Sequence, residues 1–242
     1  MALRSLVVCA IVAFTGGLAV ASFAGFREFL PGLLGGALVT LEITAGGCVL
    51  AVICAFVAAI AKMYGAWPIR WLAVIYIEVF RGTSALVQLF WLFFVLPRFG
   101  LTMEPLTVAI LALGLNVGAY GAEVVRGAVS SVSRGQWEAT IALNMTRAQA
   151  LRRIVLPQAV VAMIPPWGNL FIELLKSTAL VSLITISDLA FKAQQMNATT
   201  YRTVEIFAIV LVFYLAIAMV ITIGMQRIER FAARGLARGR VV

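Results

Sequence analysis

Most of this 242-residue chain consists of long hydrophobic runs separated by short polar stretches. An apolar run of about 20 residues can cross the roughly 30 Å hydrocarbon core of a bilayer as a single helix. Six runs reach that length, over residues 5–24, 35–61, 71–96, 106–125, 158–185 and 205–225. The pattern therefore predicts an all-α protein that crosses a membrane several times.

One polar stretch is longer than the others, namely GQWEATIALNMTRAQALRRIVLP at residues 135–157. It mixes apolar side chains with charged ones, so a helix formed here would have both an apolar and a charged surface. Such an element can enter the groove of a partner protein. It can equally rest on anionic lipid through its arginines, and the residues alone leave both interpretations open.

Two capping-box spacings lie in this region: Ser133 with Gln136, and Thr146 with Gln149. In a capping box the hydroxyl and the amide side chain satisfy free N–H groups at the start of a helix. The spacings predict short helices over 134–143 and 147–156. Asn144 lies between them and readily takes the left-handed conformation that closes a helix. The proline that follows, at position 157, either ends the pair or opens the next span.

Composition agrees with a membrane protein, because 63% of the residues are hydrophobic and only 12% are charged. Soluble domains average about a quarter charged. The net charge of +9 would suggest nucleic acid in a soluble protein, but here the basic residues lie between the runs and at the end of the chain. Thirteen Lys and Arg fall on one side of the predicted spans and four on the other. Cytoplasmic loops carry the excess, which predicts that both termini and residues 135–157 are cytoplasmic.

The first hydrophobic run has two interpretations. Its short basic start at Arg4 and the small residues near its end are typical of a signal peptide, whereas its length fits a span. We expect residues 1–26 to be an N-terminal hydrophobic segment that is retained. Residues 27–226 would then form the main transmembrane domain, and residues 227–242 a basic cytoplasmic tail.

Cysteines and glycines have structural explanations. Cys9, Cys48 and Cys54 lie within hydrophobic runs, and the chain has no histidine, so we expect neither a metal site nor a disulfide framework. Small residues on a helix allow helix backbones to approach closely in lipid. Tight helix packing is therefore predicted where glycines recur, as at Gly114, Gly118 and Gly121.

Several charged residues fall inside the predicted spans, where an unpaired charge costs at least about 2.5 kcal/mol. Glu78 and Arg81 are three residues apart, as are Glu173 and Lys176, so each pair could neutralise itself on one helix face. The alternative is that the second pair lines the path of a polar solute. The candidates for that path are Asn116, Asn169, Glu173 and Lys176. Glu123 lies two turns after Asn116 on nearly the same face, whereas its spacing to Arg126 is that of an ordinary ion pair at a helix end.

Residues 138–157 also resemble the EAA loop of ABC-importer permease subunits, through Glu138, Ala139, position 144 and the closing Ile-x-Leu-Pro at 154–157. Thr140 stands where the family usually has a second alanine, and Asn144 where it has glycine. The segments EVFRGTSALVQLFWLFFVLP, AYGAEVVRGAVSSVSRGQWEA and MIPPWGNLFIELLKSTALVSLI occur in the order seen in the polar amino-acid branch of that family. Within them, RGTSALVQLFWLFFVLP and ELLKSTALVSL are most similar to permeases for ectoine and hydroxyectoine.

This resemblance implies a type I ABC-importer permease fold with five core transmembrane helices, in addition to the N-terminal segment. It implies partners: ATPase subunits that bind ATP-Mg, a second permease subunit that is identical or homologous, and an extracytoplasmic substrate-binding protein. It also implies that the loop at 134–157 docks into the ATPase. The candidate docking residues are Trp137, Glu138, Ala139, Thr140, Asn144, Arg147, Arg152 and Pro157.

Enzymatic chemistry has no support in the chain itself. A phosphate-binding Walker A loop needs a lysine after glycine, and none of the three lysines follows glycine. We therefore expect no cofactor in this chain and a separate ATPase. Two other functions are weighed against the importer. An ion-coupled secondary transporter would use intramembrane carboxylates such as Glu78 or Glu173. A membrane scaffold would recruit a partner through the loop, but would not need polar groups within its spans.

Overall fold

The structure is a computed structural model that describes residue 16 and residues 25–237. The predicted first span at 5–24 lies outside the described residues, so its retention stays a prediction. Every element in residues 25–237 is helical. In chain order the α-helices are α1 (Gly25–Tyr64), α2 (Trp67–Gly82), α3 (Ala85–Phe90), α4 (Pro105–Ser130), α5 (Arg134–Ala142), α6 (Arg147–Ala150), α7 (Leu156–Ser177), α8 (Leu189–Thr200) and α9 (Thr203–Ala237).

Short wider or tighter helical turns continue some of these helices. They are the π-helical Trp91–Val95 and 3-10 Leu96–Phe99 after α3, the π-helical Leu151–Val155 between α6 and α7, and the 3-10 turn Thr178–Ile184 after α7. Within the described part of the chain, four helices are long and apolar enough to span a bilayer alone: Phe29–Tyr64, Pro105–Ser130, Arg147–Ile184 and Thr203–Ala233. Helices α2 and α3 give a fifth if they are counted as one span. The predicted all-helical, multi-span fold is confirmed.

The predicted run at 71–96 is not one continuous helix. Helix α2 ends at Gly82, and Thr83 has extended backbone angles, φ −118° and ψ 154°. The Thr83 hydroxyl donates to the carbonyl of Val79 at 2.7 Å, a local side-chain bond that competes with helix continuation. Gly82, Thr83 and Ser84 are weak helix formers, which explains why the break falls here.

The chain divides into two compact units. Among the described residues from 25 onward, the first comprises 25–47, 85–113 and 173–220, and the second comprises 48–84, 114–172 and 221–237. In the first unit, α1, α8 and α9 bury a continuous hydrophobic core. Its members are Phe29, Leu33, Ala37, Leu189, Ala193, Ile206, Ile209 and Val210.

Within the first unit, the start of α8 packs closely against α1. A Cβ placed on Gly36 would lie 2.7 Å from the backbone oxygen of Asp188 and 2.9 Å from the Cα of Leu189. The N–H of Leu189 donates to the Thr40 hydroxyl at 3.2 Å, and the carboxylate of Asp188 caps α8 by accepting from Phe191 N–H at 2.9 Å. Burial raises the pKa of the Asp188 carboxyl, and the backbone N–H groups around it oppose that rise.

The second unit confirms the predicted glycine packing. A Cβ on Gly121 would lie 2.5 Å from the Trp167 ring and 2.9 Å from the Cβ of Ala55. Helices α2 and α4 are also joined by a hydrogen bond from the Tyr76 hydroxyl to the carbonyl of Leu115, at 2.8 Å. Because backbone carbonyls in lipid have no water to bind, such side-chain donors stabilise helix contacts directly.

Candidate coupling loop and transport path

The polar stretch folds as two helices, α5 and α6, joined by a tight reversal. Asn144 has φ 54°, in the left-handed region, as the sequence predicts. The N–H of Met145 then donates to the carbonyl of Thr140 at 3.0 Å, which satisfies an acceptor at the end of α5. Asparagine therefore makes the turn for which the family usually has glycine.

One predicted capping box is confirmed and the other is wrong. The Thr146 hydroxyl accepts from Gln149 N–H at 3.3 Å, and Thr146 N–H donates to the Gln149 side chain at 2.9 Å. Ser133 precedes α5, but its side chain makes no capping hydrogen bond. The side-chain oxygen of Gln136 instead accepts from the Gln158 amide at 3.4 Å, so a contact with α7 replaces the local one.

The second helix of the loop does not end at 156. Helix α6, the π turn Leu151–Val155 and α7 form one uninterrupted helix that begins at Arg147. Pro157 is the second residue of α7 and lies inside this continuous helix, so it neither ends the helix pair nor opens a separate span. Because proline has no N–H, the ladder changes register here: Leu156 N–H donates to the carbonyl of Leu151, five residues back.

The candidate docking residues are mostly on the surface. Thr140 is buried and its hydroxyl donates to the carbonyl of Trp137 at 2.7 Å, while Trp137 itself is half-buried. These two hold α5 in shape. The remaining six are exposed: Glu138, Ala139, Asn144, Arg147, Arg152 and Pro157. Their contact with an ATPase stays a prediction.

The docking candidates omit the two most prominent apolar side chains of the loop. Ile141 is 75% exposed and Leu143 is 73% exposed, on either side of the end of α5. Exposed aliphatic side chains at a loop tip are unfavourable in water, which marks them as contact residues for a partner. The sequence feature that could have identified these two as docking residues is their apolar character within a polar stretch.

An ion-pair network lies near the end of α4. Glu123 accepts from Lys62 at 2.7 Å and from Arg126 at 2.8 Å. The helix-end pair of Glu123 with Arg126 is thus confirmed. The contribution of Lys62 was missed, because that lysine is 61 positions away in sequence and no local pattern connects the two.

The predicted neutralisation of charges within the spans is wrong. Among the described residues, Glu78 forms no ion pair with Arg81, and Glu173 forms none with Lys176. Arg81 instead lies over the ring of Tyr120, 5.6 Å from its centroid. Helical spacing of three residues permits pairing but does not impose it, because both long side chains remain free to point outward.

The unpaired charges lie on exposed helix faces. Glu173 and Lys176 are exposed on α7, and Asn169 is exposed one turn earlier on the same helix. Because an uncompensated charge in hydrocarbon is unfavourable, these faces should contact water or a partner. Asn116 differs, since it is buried and its amide donates to the carbonyl of Phe80 at 2.9 Å. That hydrogen bond explains why the Asn116 amide can be buried between packed helices. The role of Asn116 in a transport path stays a prediction.

Comparison with known proteins gives consistent matches. A family described as the binding-protein-dependent transport system inner membrane component matches residues 47–234. A probable amino-acid ABC transporter permease protein of Sinorhizobium fredii is 43% identical over 215 residues, covering 86% of this chain and 90% of the relative. The L-cystine transport system permease protein of Bacillus subtilis is 38% identical, covering 88% and 91% respectively.

A solved structure shares the fold as well as the sequence. The crystal structure of an amino acid ABC transporter with histidines superposes with a TM-score of 0.80 at 35% identity, covering 86% of this chain and 97% of that one. The relatives of this chain are permeases, the membrane components of transporters whose ATPase is a separate subunit. The chain therefore belongs to the binding-protein-dependent inner-membrane transport components, and is a multi-pass permease subunit of an ABC importer of the polar amino-acid type.

Proposed function

We propose that this permease carries a small polar zwitterion, namely ectoine or hydroxyectoine or else a polar amino acid, into the cytoplasm, and that its α5–α6 loop docks into the ATPase. The observation that carries the docking part of the proposal is the loop itself. A left-handed Asn144 and the Thr146 capping box fix its shape, and Ile141 and Leu143 project apolar surface at its tip. A preshaped, exposed apolar tip suits insertion into a partner's groove.

The mechanism that follows is alternating access. ATP and magnesium bind to the partner ATPase subunits, whose closure moves the docked loops. Because the helix from Arg147 onward is uninterrupted, that movement passes directly to α7. The permease then opens outward to receive solute from the extracytoplasmic binding protein, and hydrolysis returns it to the inward state. The loop and the C-terminal tail are cytoplasmic in this arrangement.

The exposed polar face of α7 supports a zwitterionic solute. Glu173 and Lys176 present opposite charges that do not neutralise each other, so each remains available to a solute group of the opposite sign. Asn169, one turn earlier, adds an uncharged donor and acceptor. Ectoine itself is proposed from the similarity of RGTSALVQLFWLFFVLP and ELLKSTALVSL to ectoine permeases.

Uptake by the reconstituted importer tests both the class and the substrate. Proteoliposomes would contain this subunit, its co-expressed ATPase, its partner permease and its binding protein, and would be offered labelled ectoine beside polar amino acids. We expect ectoine-selective uptake that stops without ATP. Uptake of an amino acid instead would reject ectoine alone. Ion-driven uptake without the ATPase would favour the secondary transporter and reject the mechanism.

Exchanging the two charges on α7 tests the path. The double variant Glu173→Lys with Lys176→Glu keeps the net charge and any mutual attraction. It reverses the order of the negative and the positive charge that the solute would contact along α7. We expect uptake at low substrate concentration to fall about tenfold, equivalent to about 1.4 kcal/mol. The ATPase should co-purify as with the unmodified chain. Unchanged uptake by an intact complex would remove both residues from the path.

A further inference from the structure

A cavity in the second unit has no role in the transport mechanism described above. Its volume is about 610 Å³. It lies where the end of α1, the start of α2 and the end of α4 meet the coupling loop, which is the α5–α6 loop at residues 134–157. Its polar lining comes from Lys62, Arg70 and Arg126, with the hydroxyls of Tyr64 and Ser130. Trp137 of the coupling loop forms part of its wall.

The cavity has an excess of positive charge. Lys62 and Arg126 share the single carboxylate of Glu123. Arg70 is exposed, and its guanidinium forms no ion pair with a described residue. Three cations therefore face one carboxylate, which leaves two positive charges for an external anion. Arginine and lysine donors together favour phosphate, whose several oxygens accept from more than one cation.

Two tryptophans on either side of Arg70 favour a position of the cavity near the lipid headgroups. Trp67 is 74% exposed and Trp71 is 52% exposed, with ring centroids 6.4 Å apart. Exposed tryptophans at the end of a membrane helix are typical of the membrane–water interface. Arg70 lies three residues after Trp67 on α2, so the two side chains occupy neighbouring positions on the helix surface.

We propose that this cavity binds the phosphate of an anionic phospholipid headgroup. The chemistry recognised is a phosphate anion. The neighbouring interfacial tryptophans favour a lipid as its source over a soluble phosphate, since the acyl chains would extend along the exposed apolar surface of α2. The inference rests on the proposed function in one respect: it takes the coupling-loop side of the protein to lie at the membrane surface.

The bound headgroup would contact the coupling loop directly. Trp137 begins the apolar part of α5 and also lines the cavity. Occupancy by a lipid would therefore hold α5 against the ends of α1 and α4, and would make the position of the docking loop sensitive to the lipid composition of the membrane.

Tryptophan quenching by brominated lipid tests the site. The purified full chain in a neutral detergent would be titrated with phosphatidylglycerol carrying brominated acyl chains, and separately with brominated phosphatidylcholine. We expect stronger quenching by phosphatidylglycerol. Arg70→Gln should lower the apparent affinity for it about fivefold, as expected for one interfacial cation. Arg98→Gln removes an exposed arginine from the other predicted side of the membrane, and should leave the affinity unchanged.

Three results would overturn the proposal. The first is equal quenching by the two lipids, or equal loss in Arg70→Gln and Arg98→Gln. The second is displacement of phosphatidylglycerol by inorganic phosphate at equal concentration, which would identify a soluble anion as the ligand. The third is a chain in which Arg70→Gln keeps the lipid preference but loses the co-expressed ATPase, because the cavity would then be part of the docking surface. The titration uses no ATPase, so its failure is distinguishable from failure of loop docking.

Discussion

Replacing Ile141 and Leu143 with aspartate is expected to remove the ATPase from the complex. Both side chains are more than 70% exposed in the chain alone, and burial of an aliphatic side chain contributes roughly 1.5–3 kcal/mol. Loss of two such contacts would weaken docking by roughly a hundredfold or more, before the cost of bringing carboxylates into an apolar groove is counted. Co-purification with tagged permease measures retention, and ATP-dependent uptake should fall in parallel.

A matched control separates docking from a general effect of exposed charge. Val204 is 82% exposed at the start of α9, within the first unit, so Val204→Asp introduces the same charge outside the loop. We expect it to retain the ATPase. Glu138→Arg, on the exposed surface of α5, should weaken retention without affecting membrane insertion. If the Ile141 and Leu143 double variant keeps its full complement of ATPase, the loop tip is not the docking surface.

Replacing Gly36 with alanine is expected to destabilise the chain, whereas the same change one residue earlier should not. The added Cβ at position 36 would meet the backbone of Asp188 and Leu189 at 2.7–2.9 Å. Backbone cannot rotate away as a side chain can, so α8 must move off α1. Overpacking of this kind costs about 1–3 kcal/mol, which corresponds to a fall in melting temperature of several degrees, roughly 2–4 °C per kcal/mol, in a chain of this size.

Gly35→Ala is the control for that measurement. A Cβ at Gly35 meets nothing within 4 Å, and alanine in a helix is about 0.5–1 kcal/mol more favourable than glycine. The control should therefore raise the melting temperature of the detergent-solubilised chain slightly, while Gly36→Ala lowers it. Equal shifts in the two variants would mean that α1 and α8 do not approach as closely as the structure has them.

Local patterns predicted the features that depend on neighbouring residues. The apolar runs located the described spans, and the Asn144 turn and the Thr146 capping box follow from residues three or four positions apart. Features that depend on contacts distant in sequence were missed. Lys62 meets Glu123 only after α1 and α4 pack together, and Gln136 bonds Gln158 in place of its local partner. The length of the run at 71–96 indicated an interruption, but hydropathy does not record a change of backbone direction, so the position of the break at Thr83 was not predicted.

Side-chain orientation limited the prediction of the path. The spacing of Glu173 and Lys176 identified two charges near each other, but spacing alone could not decide whether they point toward each other or outward. The free energy of an ion pair at an exposed position is small, so it does not fix the rotamers. The same limit applied to Asn116, whose burial against α2 depends on packing that no sequence period reveals.

The uninterrupted helix that begins at Arg147 sets an angular relation between the docking loop and the membrane span. Each residue of an α-helix turns its neighbours by about 100° and advances them by about 1.5 Å. Between Gln149 and Asn169 the helix contains the π turn Leu151–Val155 but no loop, so a rotation of α6 about its axis also turns the exposed face of α7. One inserted residue would shift a polar side chain by only about 1.5 Å along the axis, yet would turn it away from the solute. The number of residues in this helix therefore sets the direction in which its polar side chains point, as well as their position along the axis.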